Sequence, residues 1–276
     1  MADLTVIILT YNEETNIVDC IESILPIANR IIVVDSFSTD KTKEIAKRYG
    51  AEVYEHEFIN QSKQYKWAMN CVNIKTKWVL RLDADERLTE KTRKELDYLL
   101  QIHSKDDING IVLRFEISFL GKKLKHGGVY PFKKMSVYKQ GFADIEDKEM
   151  DEHFYLLSGK SICMKNDCEH KDYKNIDCWI EKHNKYSSRE ANDFFNNVKS
   201  NDNNVDVYSK RKNKIKNNFY YKFPLFFRTK LYYWYRLYVK FAWLDGREGK
   251  IFAFLQSYWY RYLVDVKIYE RQKSKK

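Results

Sequence analysis

The chain is poor in the residues that interrupt regular structure, with only 9 glycines and 3 prolines among its 276 residues. This scarcity excludes a collagen-like or Gly/Pro-rich disordered chain and argues against a loop-rich β-sandwich. The five cysteines are odd in number and include no CxxC pair, so we expect reduced thiols rather than a zinc ribbon or a disulfide framework. No run of about 18 uncharged apolar residues and no apolar signal segment is present, so we expect a cytoplasmic protein without a transmembrane helix.

Two glycine-rich nucleotide-binding signatures are also missing, the GxGxxG pattern and the GxxxxGK[ST] pattern. A dinucleotide-binding fold and a P-loop ATPase are therefore not supported. A diphosphate that is held through a metal ion needs no glycine cradle, so metal-assisted nucleotide chemistry stays open.

The net charge of +10 is concentrated at one end of the chain. Residues 199–276 carry +13, whereas residues 1–198 carry −3. Between the two regions, the segment Asn196–Asn204 is polar and rich in asparagine, which is typical of a linker. We therefore predict one domain over residues 1–198 and a helical extension over residues 199–276, whose basic charge favours an anionic partner, either a membrane or a nucleic acid.

Short apolar runs alternate with amphipathic stretches in the first hundred residues. The runs Leu4–Leu9, Ile31–Val34 and Trp78–Leu82 are typical of strands buried on both faces, and Thr89–Leu100 is typical of a helix. Strand–helix alternation at a spacing of roughly 25 residues indicates βαβ units. Since the pattern becomes mixed after Gly110, we predict an α/β fold with a mostly parallel sheet flanked by helices.

A polar cluster follows each of the three predicted strands: Thr10–Glu14, Asp35–Asp40 and Asp83–Glu86. Ligands of open α/β sheets bind at the carboxyl ends of the strands, so these clusters are expected on one rim. Asp40 taken alone is more simply a helix cap. Asp83 and Asp85 flank a single residue and can face one hard cation, Mg²⁺ or Mn²⁺, that bridges phosphate oxygens.

Three stretches of the sequence resemble a known family. TVIILTYNEETNIVDCIESI, IIVVDSFSTDKTKEIAKRYGAEV and WVLRLDADE are similar to glycosyltransferase family 2, whose fold is the Rossmann-like GT-A fold. The resemblance is nearest to the bacterial branch that contains lipopolysaccharide-core β-glucosyltransferases and capsule or exopolysaccharide transferases. It is specific over about residues 4–100 and looser beyond, at Met150–His153, Trp179–Ser187 and Trp243–Gly246.

The resemblance implies roles for individual residues toward a nucleotide-sugar donor and a metal ion. Asp35 matches the carboxylate that contacts the base or ribose, Asp83 and the adjoining Ala84 match the ribose and phosphate side, and Asp85 matches the direct metal ligand. The residues implied to line the nucleotide pocket are Thr10, Tyr11, Asn12 and Glu13, with Lys63 as a looser match beside the donor.

Catalysis and the rest of the metal site are assigned further along the chain. Members of this type are usually inverting, and an in-line displacement at the anomeric carbon needs one general base for the acceptor hydroxyl. Glu152 in the run MDEHF is the predicted base, Asp151 is the nearest alternative, and Glu146 with Asp147 stays open. His170 is a candidate third metal ligand beside Asp83 and Asp85, although a lone histidine is more often structural.

The extension is crowded with aromatic and basic residues, and 13 of the residues between Phe219 and Trp243 are aromatic. Tyr and Trp favour the headgroup depth of a bilayer, and Lys and Arg meet anionic phosphates there. We therefore predict docking on an anionic membrane surface. The alternative is packing of these aromatics onto protein, and no motif supports nucleic-acid binding.

Together with these patterns, the resemblance implies a transferase that adds a single sugar from a nucleotide-diphosphate donor, most commonly UDP in this family, to a lipid-linked, lipopolysaccharide or capsule acceptor. It would work at the cytoplasmic face of the bacterial inner membrane. Gln256–Tyr260 lacks the arginine of the QxxRW motif of processive synthases. The open alternatives are a sugar nucleotidyltransferase, whose Gly-rich, lysine-containing signature is missing, and a non-catalytic membrane scaffold.

Overall fold

The computed structural model describes residues 3–147, 153–195, 220 and 223–274. The strands are β1 Leu4–Thr10, β2 Arg30–Asp35, β3 Glu52–Glu55, β4 Trp78–Asp83, β5 Glu86–Arg87, β6 Ile108–Phe119, β7 Lys122–Leu124, β8 Phe132–Lys139, β9 Ala143–Ile145, β10 Phe154–Leu156 and β11 Lys160–Lys171. The α-helices are α1 Ile17–Ile24, α2 Thr42–Arg48, α3 Gln61–Cys71, α4 Glu90–Ile102, α5 Ile176–Phe195, α6 Phe227–Trp234, α7 Gly246–Phe254 and α8 Tyr260–Ser274. Shorter helical segments adjoin the last three, at Tyr235–Val239, Ala242–Asp245 and Leu255–Trp259.

The large sheet has the strand order β3-β2-β1-β4-β8-β6-β11-β5, and β7 pairs with β6 at its side. Neighbours are parallel from β3 through β4, which confirms the βαβ prediction. Beyond β4 the sheet is mixed, because β8 runs antiparallel to both β4 and β6 while β11 runs parallel to β6. Strands β9 and β10 form a separate antiparallel pair.

The central strands are buried on both faces, as their uninterrupted apolar runs predict. Successive side chains alternate between two cores. Ile8 and Leu80 point into the core that α1 and α4 cover, whereas Ile7 and Val79 point into the core that α3 covers. The predicted helix near residue 90 is α4, and the Thr89 hydroxyl caps its first turn by accepting a hydrogen bond from the Thr92 N–H.

Strand β1 lies between β2 and β4, and its register fixes the rim of the sheet. Thr10 pairs with Asp35, and Leu9 pairs with Asp83. The three polar clusters that follow these strands therefore emerge side by side, as predicted. The short strand β5 extends the rim, because it pairs antiparallel with the end of β11, with Glu86 opposite His170.

The last three helices are anchored on α5 and on the β6–β7 hairpin. Ala191 of α5 is buried against Tyr260 and Val264 of α8, and Phe252 of α7 is buried against Phe119 of β6. The helical prediction for the extension is confirmed between Phe227 and Ser274, while the proposed linker lies outside the described residues. No helix in the described part of the chain is both long enough and apolar enough to span a bilayer.

Candidate active site

The turn between β4 and β5 carries the two predicted aspartates, and their carboxylates have different surroundings. Asp83 accepts a hydrogen bond from the Lys134 ammonium at 3.0 Å and one from the Arg81 guanidinium at 3.4 Å. Burial would raise the pKa of Asp83, but Lys134 and Arg81 outweigh it and hold that pKa well below its ordinary value. Asp83 is therefore an ionised carboxylate that protein cations already neutralise.

Asp85 faces a histidine instead. Its Oδ2 atom lies 3.6 Å from Nε2 of His170 and 3.7 Å from Nζ of Lys182. Burial would raise the pKa of Asp85, but His170 first and Lys182 second lower it below its ordinary value. Both distances are too long for hydrogen bonds, so the three groups are close without being joined.

The pair of Asp85 and His170 fits a divalent cation. Two ligands that are each about 2.1 Å from one ion lie roughly 3–3.6 Å apart for ordinary coordination angles, which is the separation of these two atoms. Nδ1 of His170 is buried and has no hydrogen-bond partner among the described residues. Within that same part of the chain, no three His, Cys, Asp or Glu side chains are grouped to hold a metal. Of the three predicted ligands, the structure thus brings Asp85 and His170 together, whereas Asp83 faces Lys134.

Strand pairing explains why His170 reaches the turn. The Lys171 N–H donates to the Asp85 carbonyl at 2.9 Å, one residue beyond the pairing of Glu86 with His170. The turn itself is held by Glu86, whose carboxylate accepts the Asp83 N–H at 3.1 Å and binds Lys134 at 2.6 Å. Burial alone would lower the pKa of Lys134, but Asp83 and Glu86 raise it above its ordinary value.

The loops after β1 and β2 form the neighbouring part of the rim. Asp35 is fully buried, and its carboxylate accepts hydrogen bonds from the Thr10 hydroxyl at 2.8 Å and from the Ser38 N–H and hydroxyl. Asn12 joins the loops, because its N–H donates to the Ser38 hydroxyl and its side-chain oxygen accepts the Thr39 N–H. Asp35 and Thr10 thereby tie the two loops together from inside, and their roles toward the donor stay predictions.

Each of these two loops carries an exposed aromatic ring. Tyr11 is 53% exposed and Phe37 is 55% exposed, one on each loop. Phe37 has a φ of 59° and Asn12 a φ of 53°, both in the left-handed region that costs a non-glycine residue free energy. The tied loops therefore hold a strained backbone and present flat apolar rings at the rim.

Glu13 connects the rim to the segment before α5. Its carboxylate accepts hydrogen bonds from the Lys174 ammonium at 2.6 Å and from the Asn16 amide at 2.8 Å. Burial raises the pKa of Glu13, and Lys174 and Asn16 oppose that rise without cancelling it. Asn16 also donates to Asp172, so the β1 loop and residues 172–174 form one hydrogen-bonded unit.

The remaining predicted residues are less constrained. Lys63 is exposed in the first turn of α3, which the Asn60 side chain caps, and its role beside the donor stays a prediction. Ala84 is buried in the turn between the two aspartates. The predicted base Glu152 and its alternative Asp151 lie outside the described residues.

The described residues on either side of residues 148–152 have defined contacts. The Glu146 N–H donates to the His153 carbonyl at 3.0 Å, so the two ends of this segment are joined. Directly after it, the Phe154 ring packs on Tyr65 and Tyr138 and lies 5.8 Å from the Arg81 guanidinium. Because Arg81 also contacts Asp83, Phe154 lies beside the aspartate turn.

Sequence reasoning missed three lysines that shape the site: Lys134, Lys174 and Lys182. Each comes from an element distant in sequence from the aspartates, and each is a single lysine in a lysine-rich chain. Only Lys182 lies in a stretch, Trp179–Ser187, that the looser resemblance covers.

Parallel strands, a rim of tied loops and an Asp-x-Asp turn facing a histidine together define a nucleotide-sugar transferase of the GT-A fold class. The family model described as glycosyl transferase family 2 matches residues 5–155, more than half of the chain. Uncharacterized glycosyltransferases of Rickettsia typhi and Rickettsia prowazekii are each 30% identical to this chain, over 70% of it and 68% of their own length. The chain belongs to glycosyltransferase family 2.

A solved structure supports the fold over the whole length. A mannosyltransferase of Pyrobaculum calidifontis, in complex with GDP-Man and Mn²⁺, superposes with a TM-score of 0.54 over 99% of this chain and 88% of its own, at 13% sequence identity. At that identity the similarity is one of fold. The family and the GT-A fold predicted from the sequence are thus confirmed, whereas the lipopolysaccharide branch stays a prediction.

Proposed function

We propose that this protein is a metal-dependent, inverting transferase that moves one sugar from a nucleotide-diphosphate donor to an acceptor at the cytoplasmic face of the inner membrane. The observation that carries the proposal is the placement of Asp85 opposite His170 on the rim, beside the tied loops that carry Tyr11 and Phe37. UDP-sugars are the most common donors of the family and are the first donors to test. The Pyrobaculum mannosyltransferase of the same fold was solved with GDP-Man, so GDP-sugars belong in the same test.

In this proposal Asp85 and His170 hold Mg²⁺ or Mn²⁺. The bound ion would neutralise charge that develops on the departing diphosphate, which is the costly part of the reaction. The protein's own residues prepare that role. Lys134 keeps Asp83 ionised and oriented, and Glu86 with the β11 pairing keeps the Asp85 carboxylate directed at His170.

The nucleoside would lie across the loops after β1 and β2. Tyr11 offers an exposed ring for stacking on a base, and the buried Asp35 fixes the backbone on which that ring stands. Attack on the anomeric carbon from the opposite side inverts its configuration and requires removal of the acceptor proton. We assign the removal of that proton to the carboxylate of Glu152, with Asp151 as the alternative base.

The acceptor is proposed to be lipid-linked, as in lipopolysaccharide or capsule assembly. In support, the last helices expose many large apolar side chains. We call this set the aromatic surface: Phe227, Leu231, Trp234, Tyr235, Tyr238, Val239, Phe241, Trp243 and Leu244. Exposed Lys230 and Lys240 lie among them, and rings together with cations are the combination that an anionic lipid surface attracts.

Donor binding is the direct test of the proposed activity. The full-length protein is titrated with a panel of UDP- and GDP-sugars with and without Mn²⁺, and slow hydrolysis of each donor is followed. We expect one donor to bind and to be hydrolysed only with the metal. Release of pyrophosphate from a nucleoside triphosphate would instead support a nucleotidyltransferase, and failure of every nucleotide to bind would support a scaffold.

A further inference from the structure

Helix α5 crosses the rim of the sheet and brings a lysine to the predicted metal ligand. The rotation of the helix is fixed by its packing. The Trp179 ring packs 6.3 Å from Phe119, and Nε2 of His183 lies 3.0 Å from the Gln256 amide nitrogen. With the helix held this way, Lys182 projects to Asp85.

Lys182 and His170 approach the same oxygen. The Lys182 Nζ lies 3.7 Å from Oδ2 of Asp85, and His170 Nε2 lies 3.6 Å from that same Oδ2. A divalent cation between Asp85 and His170 would therefore lie within a few ångströms of the lysine ammonium. Two cations at that separation repel each other strongly in a partly buried site, so the lysine must move away when the metal binds.

The lysine is free to move. Its side chain is 42% exposed, in contrast to the 9% of Asp85, and four methylene groups give the ammonium a wide reach. The nearby carboxylates already have partners, since Glu13 binds Lys174 and Asp172 accepts hydrogen bonds from Asn16 and from the Lys174 N–H. Among the described residues these carboxylates are thus already paired, so an anion that arrives with the metal would be a partner for the displaced ammonium.

We propose that Lys182 neutralises Asp85 before metal binding and then transfers to the diphosphate of the donor, so that the metal ion and the nucleotide bind cooperatively. The inference rests on the proposed function, because it takes a nucleoside diphosphate as the ligand of the site. It makes Lys182 a residue that binds the leaving group, with two effects of opposite sign. The lysine weakens metal binding on its own and strengthens metal binding in the presence of the nucleotide.

Replacing the ammonium separates these two effects. In Lys182→Met we expect Mn²⁺ alone, titrated by electron paramagnetic resonance, to bind about fivefold more tightly than in the wild type. With UDP or GDP present, the enhancement of Mn²⁺ affinity should fall at least tenfold, and donor hydrolysis should slow by roughly 100-fold. Lys182→Arg keeps the charge and should keep most of the cooperativity.

Lys185→Met is the matched control, because Lys185 lies on the same helix, pairs with Glu181 and is 59% exposed. It should leave all three quantities unchanged. If Lys182→Met binds Mn²⁺ alone and with the nucleotide as the wild type does, the inference is wrong even though the proposed function stands. If the wild-type protein shows no Mn²⁺-dependent binding of UDP or GDP, the proposed function fails, and this inference fails with it.

Discussion

The domain that carries the rim and the helices that follow it distribute charge and aromatic side chains in opposite ways. In the domain, large rings such as Trp78 and Tyr138 are buried, while the ion pairs of Lys134 with Asp83 and Glu86 lie at the rim. In the C-terminal helices, an ion pair is buried, Arg228 with Asp265, while rings such as Trp234 and Phe241 are exposed. The domain thus has a polar site over an apolar core. The C-terminal helices have an apolar surface over an interior that includes a buried ion pair.

Under the proposed function, each region presents at its surface the groups that its proposed partner would contact. A diphosphate and a cation need fixed charges, which a rigid sheet rim supplies. A bilayer surface needs rings and mobile cations at headgroup depth. A substitution that removes charge at the rim should therefore impair activity without affecting the C-terminal helices, and a substitution in the C-terminal helices should leave the rim intact.

The largest effect is expected from removing charge at the rim. In Asp85→Asn the cation loses an anionic ligand, and we expect Mn²⁺-dependent donor hydrolysis to fall by about 10²–10³-fold. Since Asp85 is held by charges and not by direct hydrogen bonds of its side chain in the described structure, thermal unfolding should change little. The control is Glu90→Gln, which disrupts an exposed ion pair on α4. Full activity of Asp85→Asn would show that Asp85 is not a ligand of the metal ion.

The largest effect on stability, similar in free energy, concerns the charge buried in the C-terminal helices. Asp265 is fully buried and accepts hydrogen bonds from Arg228 Nε at 2.9 Å and from the Phe226 N–H at 2.7 Å. Asp265→Ala leaves the Arg228 guanidinium buried without that carboxylate, which should lower the free energy of unfolding by about 3–5 kcal/mol.

Chemical denaturation measures this loss, and Glu181→Ala is its control. Glu181 forms an exposed pair with Lys185, so its removal should cost less than about 1 kcal/mol. Equal costs for the two variants would mean that the C-terminal helices do not depend on buried charge.

A third prediction concerns the contact between α5 of the domain and α8 of the C-terminal helices. His183 packs on Trp179 and Tyr260, and burial lowers its pKa to about 4. In the unfolded chain the ring takes up a proton near pH 6.5, so the unfolded state binds more protons between these values and stability falls as the pH drops through that window. From pH 7 to pH 5 the loss should be about 2 kcal/mol.

The measurement compares denaturation of the wild type with that of His183→Phe at both pH values. The variant lacks the titrating ring, so the wild type should lose about 2 kcal/mol more than the variant over this interval. If the free energy of unfolding changed equally with pH in the two proteins, His183 would not be the group that makes stability depend on pH in this range.

The strands of the rim could be predicted from the sequence, whereas most of the residues that reach the rim from other elements could not. Strands β1, β2 and β4 were predictable because each is an apolar run that ends at a polar cluster, and in a parallel arrangement those ends share a rim. The pairing of His170 with the turn depends on β11, 85 positions away, and the resemblance alone suggested it. Lys134 gave no signal and Lys182 lay only in a loosely matching stretch, since their positions depend on the antiparallel insertion of β8 and on the rotation of α5, which are set by tertiary packing.

The smallest effect is expected at the aromatic surface. Trp234→Ser and Phe241→Ser each remove an exposed ring, and each should weaken binding to vesicles of anionic lipid about tenfold. Donor hydrolysis in solution should be unchanged. The control is Tyr98→Ser, which removes a ring that is 61% exposed on α4 of the domain. Vesicle binding that is insensitive to both rings and to salt would favour packing of this surface on protein.

The central claim is that Asp85 and His170 hold the cation that binds the donor diphosphate. The most direct measurement is an anomalous difference map at the manganese edge from crystals grown with Mn²⁺ and UDP or GDP. We predict a single strong peak within about 2.3 Å of both the Asp85 carboxylate and Nε2 of His170. A peak bound elsewhere on the rim, or nucleotide bound in its pocket without any manganese peak between these residues, would contradict the account.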